Sequence, residues 1–129
     1  MSWFAALLAL LLSHAVGDVL FQTDWQALNK VRGLGEPVAR RALLHHVTTY
    51  TLAFIPALIW IGTRTSAWRA ILLAVVVAVP HLLIDDGRFV RLWLREVKGA
   101  KQPAAGLSIA VDQSFHALCL LGAALIAAA

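Results

Sequence analysis

Cysteine and glutamate are almost missing from this chain, and their scarcity excludes several kinds of protein. The one cysteine, Cys119, has no partner for an intrachain disulfide and belongs to no cysteine metal motif. The only glutamates, Glu36 and Glu96, lie outside the apolar runs, so the chain lacks the Glu-rich di-iron site of ferritin-like bundles. Charged residues make up 14% of the chain, against about a quarter in a soluble domain. This composition does not fit an ordinary soluble domain.

Hydrophobic residues are 60% of the chain and fall into four long runs, at 3–22, 41–62, 67–86 and 106–128. Each run has about the 20 residues that a helix needs to cross about 30 Å of hydrocarbon. We therefore expect an all-α protein, a single integral membrane four-helix bundle over residues 1–129 with short interfacial helices. The first run lacks a basic flank and a clear small-residue cleavage site, so we expect it to be retained.

The basic residues predict an orientation in the membrane. All eleven lysines and arginines lie between the runs or at their ends, and nine of them are in the first and third connections. Under the positive-inside rule, these two connections are cytoplasmic and both termini lie outside. The five tryptophans then fall near the two interfaces, with Trp3, Trp60 and Trp68 outside and Trp25 and Trp93 inside. The net charge of +4 thus has a membrane explanation, and we expect no nucleic-acid partner.

Both basic connections contain the pattern of a short amphipathic helix, in DWQALNKV (24–31) and RFVRLWLREVK (88–98). In the second, four basic residues form one stripe beside apolar residues: Arg88, Arg91, Arg95 and Lys98. Such helices lie in the head-group region of a bilayer. The stripe either recognises an anionic lipid head group or only anchors the helix at the surface, and the sequence leaves both interpretations open.

Polar residues inside the four runs form a pattern of their own. Three runs carry a histidine and an aspartate four residues apart, which places both side chains on one helix face. Runs that descend toward the cytoplasm carry the pair late, and the last run, which ascends, carries it early. All of these residues are therefore expected at one level, in the cytoplasmic half of the bundle. The pairs are His14 and Asp18, His81 and Asp85, and Asp112 and His116, and the second run adds His45 and His46 near its start.

Histidines and aspartates that meet inside a bundle are typical of a metal site. Charged groups in hydrocarbon cost at least about 2.5–3.5 kcal/mol each, so they should face inward and find partners. The set suits two divalent ions bridged by a carboxylate, or one ion whose ligands are oriented by the remaining residues. Zinc fits this donor set first, with iron and manganese as alternatives. The predicted ligands are His14, Asp18, His46, His81, Asp85, Asp112 and His116.

Less specific interpretations apply to each feature alone. One intramembrane histidine usually makes an interhelical hydrogen bond, and one His/Asp pair is often an ion pair or part of a proton relay. Only one of His45 and His46 can point into the core, because neighbours in a helix differ by about 100°. Asp86 is a weaker candidate than Asp85, which has the i+4 spacing to the preceding histidine. Pro80 should kink the third run beside the site.

Four motifs stand out along the chain: HAVGDVLFQTDW at 14–25, HHV at 45–47, HLLID at 81–85 and DQSFH at 112–116. Together they resemble an uncharacterised bacterial inner-membrane family, a domain of unknown function of about this length. The resemblance covers nearly the whole chain and implies a location in the bacterial inner membrane. It favours His46 over His45, and where the family commonly has lysine this chain has Arg88. The family is also distantly similar to membrane-bound metal-dependent hydrolases.

We expect a metal-dependent hydrolase that opens to the cytoplasmic face and acts on a lipid or another amphiphilic molecule. Asp85 or Asp18 is the candidate general base. Lys30 and Arg88 are expected to hold an anionic head group or a lipid-linked substrate. The residues predicted at the mouth of the site are Gln22, Asn29, Lys30, Arg88 and Gln113.

Two other classes remain open at this point. One is a di-iron oxidase or hydroxylase, which the shortage of glutamate disfavours but which histidine-rich sites allow. The other is a non-enzymatic metal or proton carrier, or a structural metal site. A carrier needs a polar path through the outer half of the bundle, and the outer half is nearly all apolar.

Overall fold

The computed structural model describes all 129 residues, and helices are its only regular secondary structure. The all-α prediction is confirmed. The helices are α1 (Trp3–Ala15), which continues as a π-helical segment (Val16–Leu20), α2 (Asp24–Asn29), α3 (Pro37–Ala53), α4 (Ile55–Arg64), α5 (Ala67–Asp85), α6 (Arg88–Glu96) and α7 (Ala105–Ala128).

Three helical stretches are long and apolar enough to cross a membrane, namely Trp3–Leu20, Ala67–Asp85 and Ala105–Ala128. They correspond to the first, third and fourth predicted runs. The second predicted run, 41–62, differs from the structure. Its helix begins earlier, at Pro37, and is broken into α3 and α4, which meet at 45°. The two helices provide a fourth crossing only if the bent pair is one span.

Proline chemistry explains where the second run bends. Pro56 has no N–H to donate to the carbonyl of Leu52, and its ring crowds that carbonyl. Just before it, the N–H of Phe54 donates to the carbonyl of Thr51 at 3.1 Å, a tight turn that closes α3. At Pro80, where the sequence predicts a kink, α5 continues as one helix. The sharp change of direction is therefore at Pro56.

The lower part of the first run has a wider turn than an α-helix. The N–H of Phe21 donates to the carbonyl of Val16 at 2.9 Å, five residues back, as in a π-helix. Such turns are rare in proteins, and many of those that occur lie at functional sites. Gly17 lies in this segment, and a Cβ atom there would lie 3.1 Å from the Cα of Tyr50 on α3. Glycine thus allows the two backbones to approach closely.

The long helices pack side by side, with α7 between α1 and α5, and with the α3–α4 pair against α5 and α1. Apolar side chains fill one half of the molecule, in a buried cluster that includes Leu10, Phe54, Ile61, Leu73 and Leu120. The buried histidines and aspartates lie on the same helices, nearer the ends that join α2 and α6. The molecule is therefore divided into an apolar half and a polar half.

The first and third connections pack onto each other at the polar end. Helix α2 begins with a capping box, in which Thr23 and Gln26 each accept the main-chain N–H of the other. Asp86 ties the two connections together, because its Oδ1 accepts the N–H of Leu34 at 2.9 Å and its main-chain carbonyl accepts the N–H of Arg32 at 2.9 Å. Both basic connections therefore close the same end of the bundle.

Gly17→Ala tests the close approach of the first run to α3. We expect the variant to lower the free energy of unfolding by about 1–3 kcal/mol, because the new methyl group meets the main chain of Tyr50. Gly122→Ala in α7 is the matched control, since a Cβ atom there has nothing within 4 Å and alanine favours a helix. Thermal unfolding in detergent, followed by circular dichroism, compares the two. Equal midpoints for wild type and Gly17→Ala would contradict the contact.

Candidate metal centre

Four side chains from separate parts of the chain direct ligand atoms toward one point. Asp18 comes from the π-helical segment, His46 from α3, and His81 and Asp85 from α5. Their ligand atoms all lie within 4.8 Å of one another, and we call these residues the four-residue group. The two histidines and Asp85 are buried, and Asp18 is partly buried. The group can hold a metal ion.

Three of the close contacts in this group form a triangle that hydrogen bonds do not satisfy, and His46 Nε2 also lies 3.1 Å from Asp18 Oδ1. His46 Nε2 lies 3.0 Å from Asp85 Oδ2 and 3.0 Å from His81 Nε2, and His81 Nε2 lies 3.1 Å from the same oxygen. If both nitrogens carry hydrogen, two donors face each other, and a nitrogen without hydrogen turns its lone pair toward an acceptor oxygen. A metal ion satisfies all three contacts, because ligand atoms about 2.0–2.2 Å from one ion lie about 3.0–3.5 Å apart.

A chain of hydrogen bonds sets the tautomer of His81. The main-chain carbonyl of Asp112 can only accept, so Nδ1 of His116, 3.0 Å away, donates to it. In the neutral ring, Nε2 of His116 then accepts from Nδ1 of His81 at 2.8 Å. The Nε2 atom of His81 is left with a lone pair that faces the triangle. A metal ligand needs this state, and such outer hydrogen bonds commonly orient metal-binding histidines.

A second set of residues, Asp85, Asp112 and His116, also has ligand atoms within 4.8 Å of one another. Asp85 joins the two sets, because its Oδ2 faces the triangle while its Oδ1 lies 3.6 Å from Nε2 of His116. This is the bridging position that a two-ion site requires. Both ring nitrogens of His116 are already in hydrogen bonds, however. With these hydrogen bonds in place, His116 orients His81 and has no free nitrogen for a metal ion.

The sequence predicts His14 as a ligand, but the structure leaves it outside both sets. Its Nδ1 lies 3.0 Å from the hydroxyl of Tyr50, and its Nε2 lies 3.0 Å from Oε1 of Gln113. The amide nitrogen of Gln113 then donates to Asp18 Oδ2 at 3.0 Å and to Asp112 Oδ2 at 3.2 Å. His14 thus supports two carboxylates of the site through Gln113.

Lys30 lies deeper than the mouth position predicted for it. Its Nζ is 2.7 Å from Asp85 Oδ2 and 3.9 Å from Asp18 Oδ1. With its amide turned to suit its neighbours, Gln22 accepts from this Nζ at 2.8 Å and donates to the carbonyl of Asp18 at 3.1 Å. The site has three carboxylates, from Asp18, Asp85 and Asp112, and the ammonium group of Lys30 balances one of their charges. The two negative charges that remain match the charge of one divalent ion.

The other predicted residues have different surroundings. His46 is fully buried and His45 is exposed, as the angle between neighbours in a helix requires. Asn29 does not reach the site, because its amide donates to a carbonyl of its own helix at 2.9 Å. Arg88 pairs with Asp86, Nε to Oδ2 at 3.2 Å, and so helps to hold the connections together.

Tyr50 belongs to the site but to none of the four sequence motifs. It is 1% exposed, its hydroxyl contacts His14, and its ring is stacked on the ring of His81 with 3.4 Å between centroids. It also belongs to the buried apolar cluster, so it closes the site toward the apolar half. The spacing to His46 would have identified it, since residues four apart share a helix face.

A cleft of about 1260 Å³ leads from the site to the surface at the polar end. It lies between the π-helical segment, the first connection, α6 and the beginning of α7. Four of the five predicted mouth residues line it, and Asn29 does not. Its polar lining consists of Asp18, Gln22, Lys30, Arg32, Asp85, Arg88, Arg91, Arg95, Lys101, Ser108, Asp112 and Gln113.

The fold and the site define a class of protein: an all-α chain with membrane-length helices and a buried histidine and aspartate group that can hold a metal ion. Within this class, the chain belongs to the DUF3307 family, described as a protein of unknown function, whose family model matches residues 6–128. The suspected family is thus confirmed. No curated protein and no solved structure matches the chain, so the similarity to hydrolases remains an expectation.

Two adjacent aspartates provide a direct test of the site. Asp85→Asn removes a charged ligand, and we expect divalent-metal affinity to fall at least about 100-fold, more than the loss of an outer hydrogen-bond partner causes. Asp86→Asn makes the same substitution at the next residue, which holds the two connections together and lies outside the four-residue group. Metal binding should therefore stay at the wild-type level. Elemental analysis of detergent-purified protein measures how much metal the wild type and each variant retain. Wild-type protein without stoichiometric metal, or equal loss in the two variants, would contradict the assignment.

Proposed function

We propose that this protein spans the bacterial inner membrane four times, with the bent α3–α4 pair as one span. In this arrangement, the first and third connections are cytoplasmic and both termini are outside. Nine of the eleven lysines and arginines at one end support the orientation. Exposed apolar side chains support the membrane location, as in the stripe of α5 formed by Ile71, Val75, Val79 and Leu83, whose members are 50–56% exposed. A soluble protein rarely leaves such a stripe uncovered.

We further propose that the four-residue group holds one divalent ion, with zinc first and iron or manganese as alternatives. The triangle formed by His46, His81 and Asp85 is the observation that carries this assignment, because three close contacts share no consistent set of hydrogens. Two further observations support the same assignment. The site has two more carboxylates than ammonium groups, and the lone pair of His81 Nε2 faces the triangle. A two-ion site with Asp85 as the bridge requires His116 to give up one of its present hydrogen bonds.

The function that this site supports best is metal-dependent hydrolysis of a lipid or another amphiphilic substrate at the cytoplasmic face. A bound divalent ion supplies Lewis acidity, which polarises an ester or phosphoryl group and activates water. The cleft supplies access, since it connects the partly buried Asp18 to the surface. The location favours a substrate that has both a polar group and an apolar chain.

Among the carboxylates, Asp18 is the better candidate for the general base. Asp85 Oδ2 is already close to Lys30, His46 and His81. Asp18 and Asp85 both line the cleft, but Asp18 faces His46 only through Oδ1, and its Oδ2 accepts a hydrogen bond from Gln113 that fixes the direction of the carboxylate. A general base has to be within hydrogen-bond reach of the water from which it takes a proton. The side chain of Lys30 neutralises part of the negative charge around that water.

The other classes have less support. A carrier needs a polar route through the far half of the bundle, and that half is filled by the buried apolar cluster around Phe54, Ile61 and Leu73. A single chain therefore provides no such route. An iron oxidase of the ferritin-like type relies on glutamate ligands, and neither Glu36 nor Glu96 is in the site.

His81→Ala tests hydrolysis. Metal-loaded wild-type protein, incubated with a panel of lipids, should release a hydrolysed product, and the variant should lose at least about a hundredfold in rate because it lacks a ligand. His45→Ala is the matched control, since His45 is exposed and lies outside the site. Lipid chromatography with mass detection follows the products. Equal turnover by wild type and His81→Ala, or no turnover by metal-loaded wild type on any lipid, would contradict the proposal.

A further inference from the structure

Six basic side chains line the cleft: Lys30, Arg32, Arg88, Arg91, Arg95 and Lys101. Three of them have carboxylate partners, as Lys30 contacts Asp85, Arg88 contacts Asp86 and Arg95 contacts Glu96. The other three, Arg32, Arg91 and Lys101, have no carboxylate within 4.0 Å. These three, which we call the unpaired cations, come from the first connection, from α6 and from the third connection. The cleft therefore carries positive charge that the protein itself does not neutralise.

We propose that the unpaired cations bind the head group of a lipid that carries a phosphate monoester or a diphosphate. The proposal deepens the hydrolase function and rests on it for the role of the bound lipid as substrate. It also changes an expectation from the sequence, because Arg88 is engaged by Asp86 and the unpaired cations replace it as the head-group site.

The number and type of charges favour phosphate. A phosphate monoester carries about −1.5 to −2 charge at pH 7 and offers three strong acceptor oxygens, whereas a carboxylate carries a single charge. Arg32 and Arg91 have the planar guanidinium group, whose fork of donors matches phosphate oxygens in pairs. The positive-inside rule explains basic residues at this end of the molecule. It does not explain why these three surround one cleft, since Arg40, Arg41 and Lys98 lie at the same end without lining it.

The backbone of Arg32 is a second, independent observation. Arg32 is the one non-glycine residue with a positive φ, at 64°, a conformation that glycine adopts without strain. Its N–H donates to the carbonyl of Asp86, so the strained turn is held by the loop contact. Local strain of this kind clusters at binding sites. Arg32 thus combines a strained backbone with a position on the lining of the cleft.

The apolar lining of the cleft indicates a lipid. Val19, Leu92 and Ile109 line the cleft and are also 72%, 51% and 63% exposed. They come from the π-helical segment, α6 and α7, on surfaces that contact lipid in the proposed orientation. One wall of the cleft thus continues into the apolar surface of the protein. A lipid can keep its chain in the bilayer while its head group contacts the unpaired cations.

Two double variants with equal charge separate this site from general attraction. Arg91→Gln with Lys101→Gln removes two unpaired cations, and Arg41→Gln with Lys98→Gln removes two basic residues of the same end that do not line the cleft. The probe is fluorescent short-chain phosphatidic acid, added to the full-length protein in maltoside detergent, with phosphatidylcholine and inorganic phosphate as competitors. We expect the first pair to weaken phosphatidic acid binding about tenfold or more, and the second pair to change it less than twofold.

Several outcomes would overturn the proposal. Equal losses in the two double variants would indicate non-specific charge attraction. Competition by phosphatidylcholine, a phosphodiester, as strong as that by unlabelled phosphatidic acid would exclude recognition of a phosphate monoester. Equally strong competition by inorganic phosphate would exclude a lipid ligand. Arg32→Gly should unfold at the same or a higher temperature and still bind more weakly; unchanged binding would contradict a role for its side chain.

The metal and the head group are tested separately. Phosphatidic acid binding is measured in His81→Ala as well, where we expect it to persist within about threefold while turnover is lost. Binding without turnover in metal-loaded wild type would then refute the hydrolase and leave the lipid site. Turnover on lipids without preference for a phosphate head group would refute the lipid site and leave the hydrolase.

Discussion

The contact of one buried carboxylate with two imidazoles and an ammonium group is the interaction on which the rest of this structure depends. Asp85 is 3% exposed, and its Oδ2 lies within 2.7–3.1 Å of Lys30, His46 and His81. An isolated charge at such a position would cost several kcal/mol, so the elements that supply its partners must meet there. Helices α3 and α5 and the first connection are held at one level for this reason. A divalent ion at the same point would relieve the remaining conflict between the two Nε2 atoms.

The polar half of the molecule is organised around this contact in two directions. Inward, Tyr50 stacks on His81 and separates the site from the apolar core. Outward, the neighbouring Asp86 binds the connections, so adjacent carboxylates serve two different purposes. His46 is held in the site through one ring nitrogen only. Its Nδ1 is buried without a hydrogen-bond partner, and its Nε2 makes all of its polar contacts. Such an unpaired group costs about 1–3 kcal/mol, which a bond from Nε2 to a metal ion would offset.

Much of the site was predictable because helices convert spacing into direction. The pair His81 and Asp85 lies on a regular helix, and both residues reach the centre as the spacing predicts. In the pair His14 and Asp18, only Asp18 reaches the centre, because the π-helical segment widens the turn between them. His14 contacts Gln113 instead, and Gln113 in turn donates to Asp18. The position of Lys30 had no basis in periodicity, since Lys30 follows the short helix α2 and its side chain is directed by the fold of the loop.

The sequence by itself determined the helical class, the membrane-length runs, the family and the shared depth of the histidines and aspartates, because all of these follow from composition, order and helical period. The tertiary structure alone decided which of them meet. It turned His14 away from the centre, brought Lys30 to Asp85, and left Arg32, Arg91 and Lys101 unpaired around one cleft. The physical reason is that spacing along a helix fixes the face and the height of a side chain. Its partners depend on the rotation and the packing of neighbouring helices and on the path of the connections.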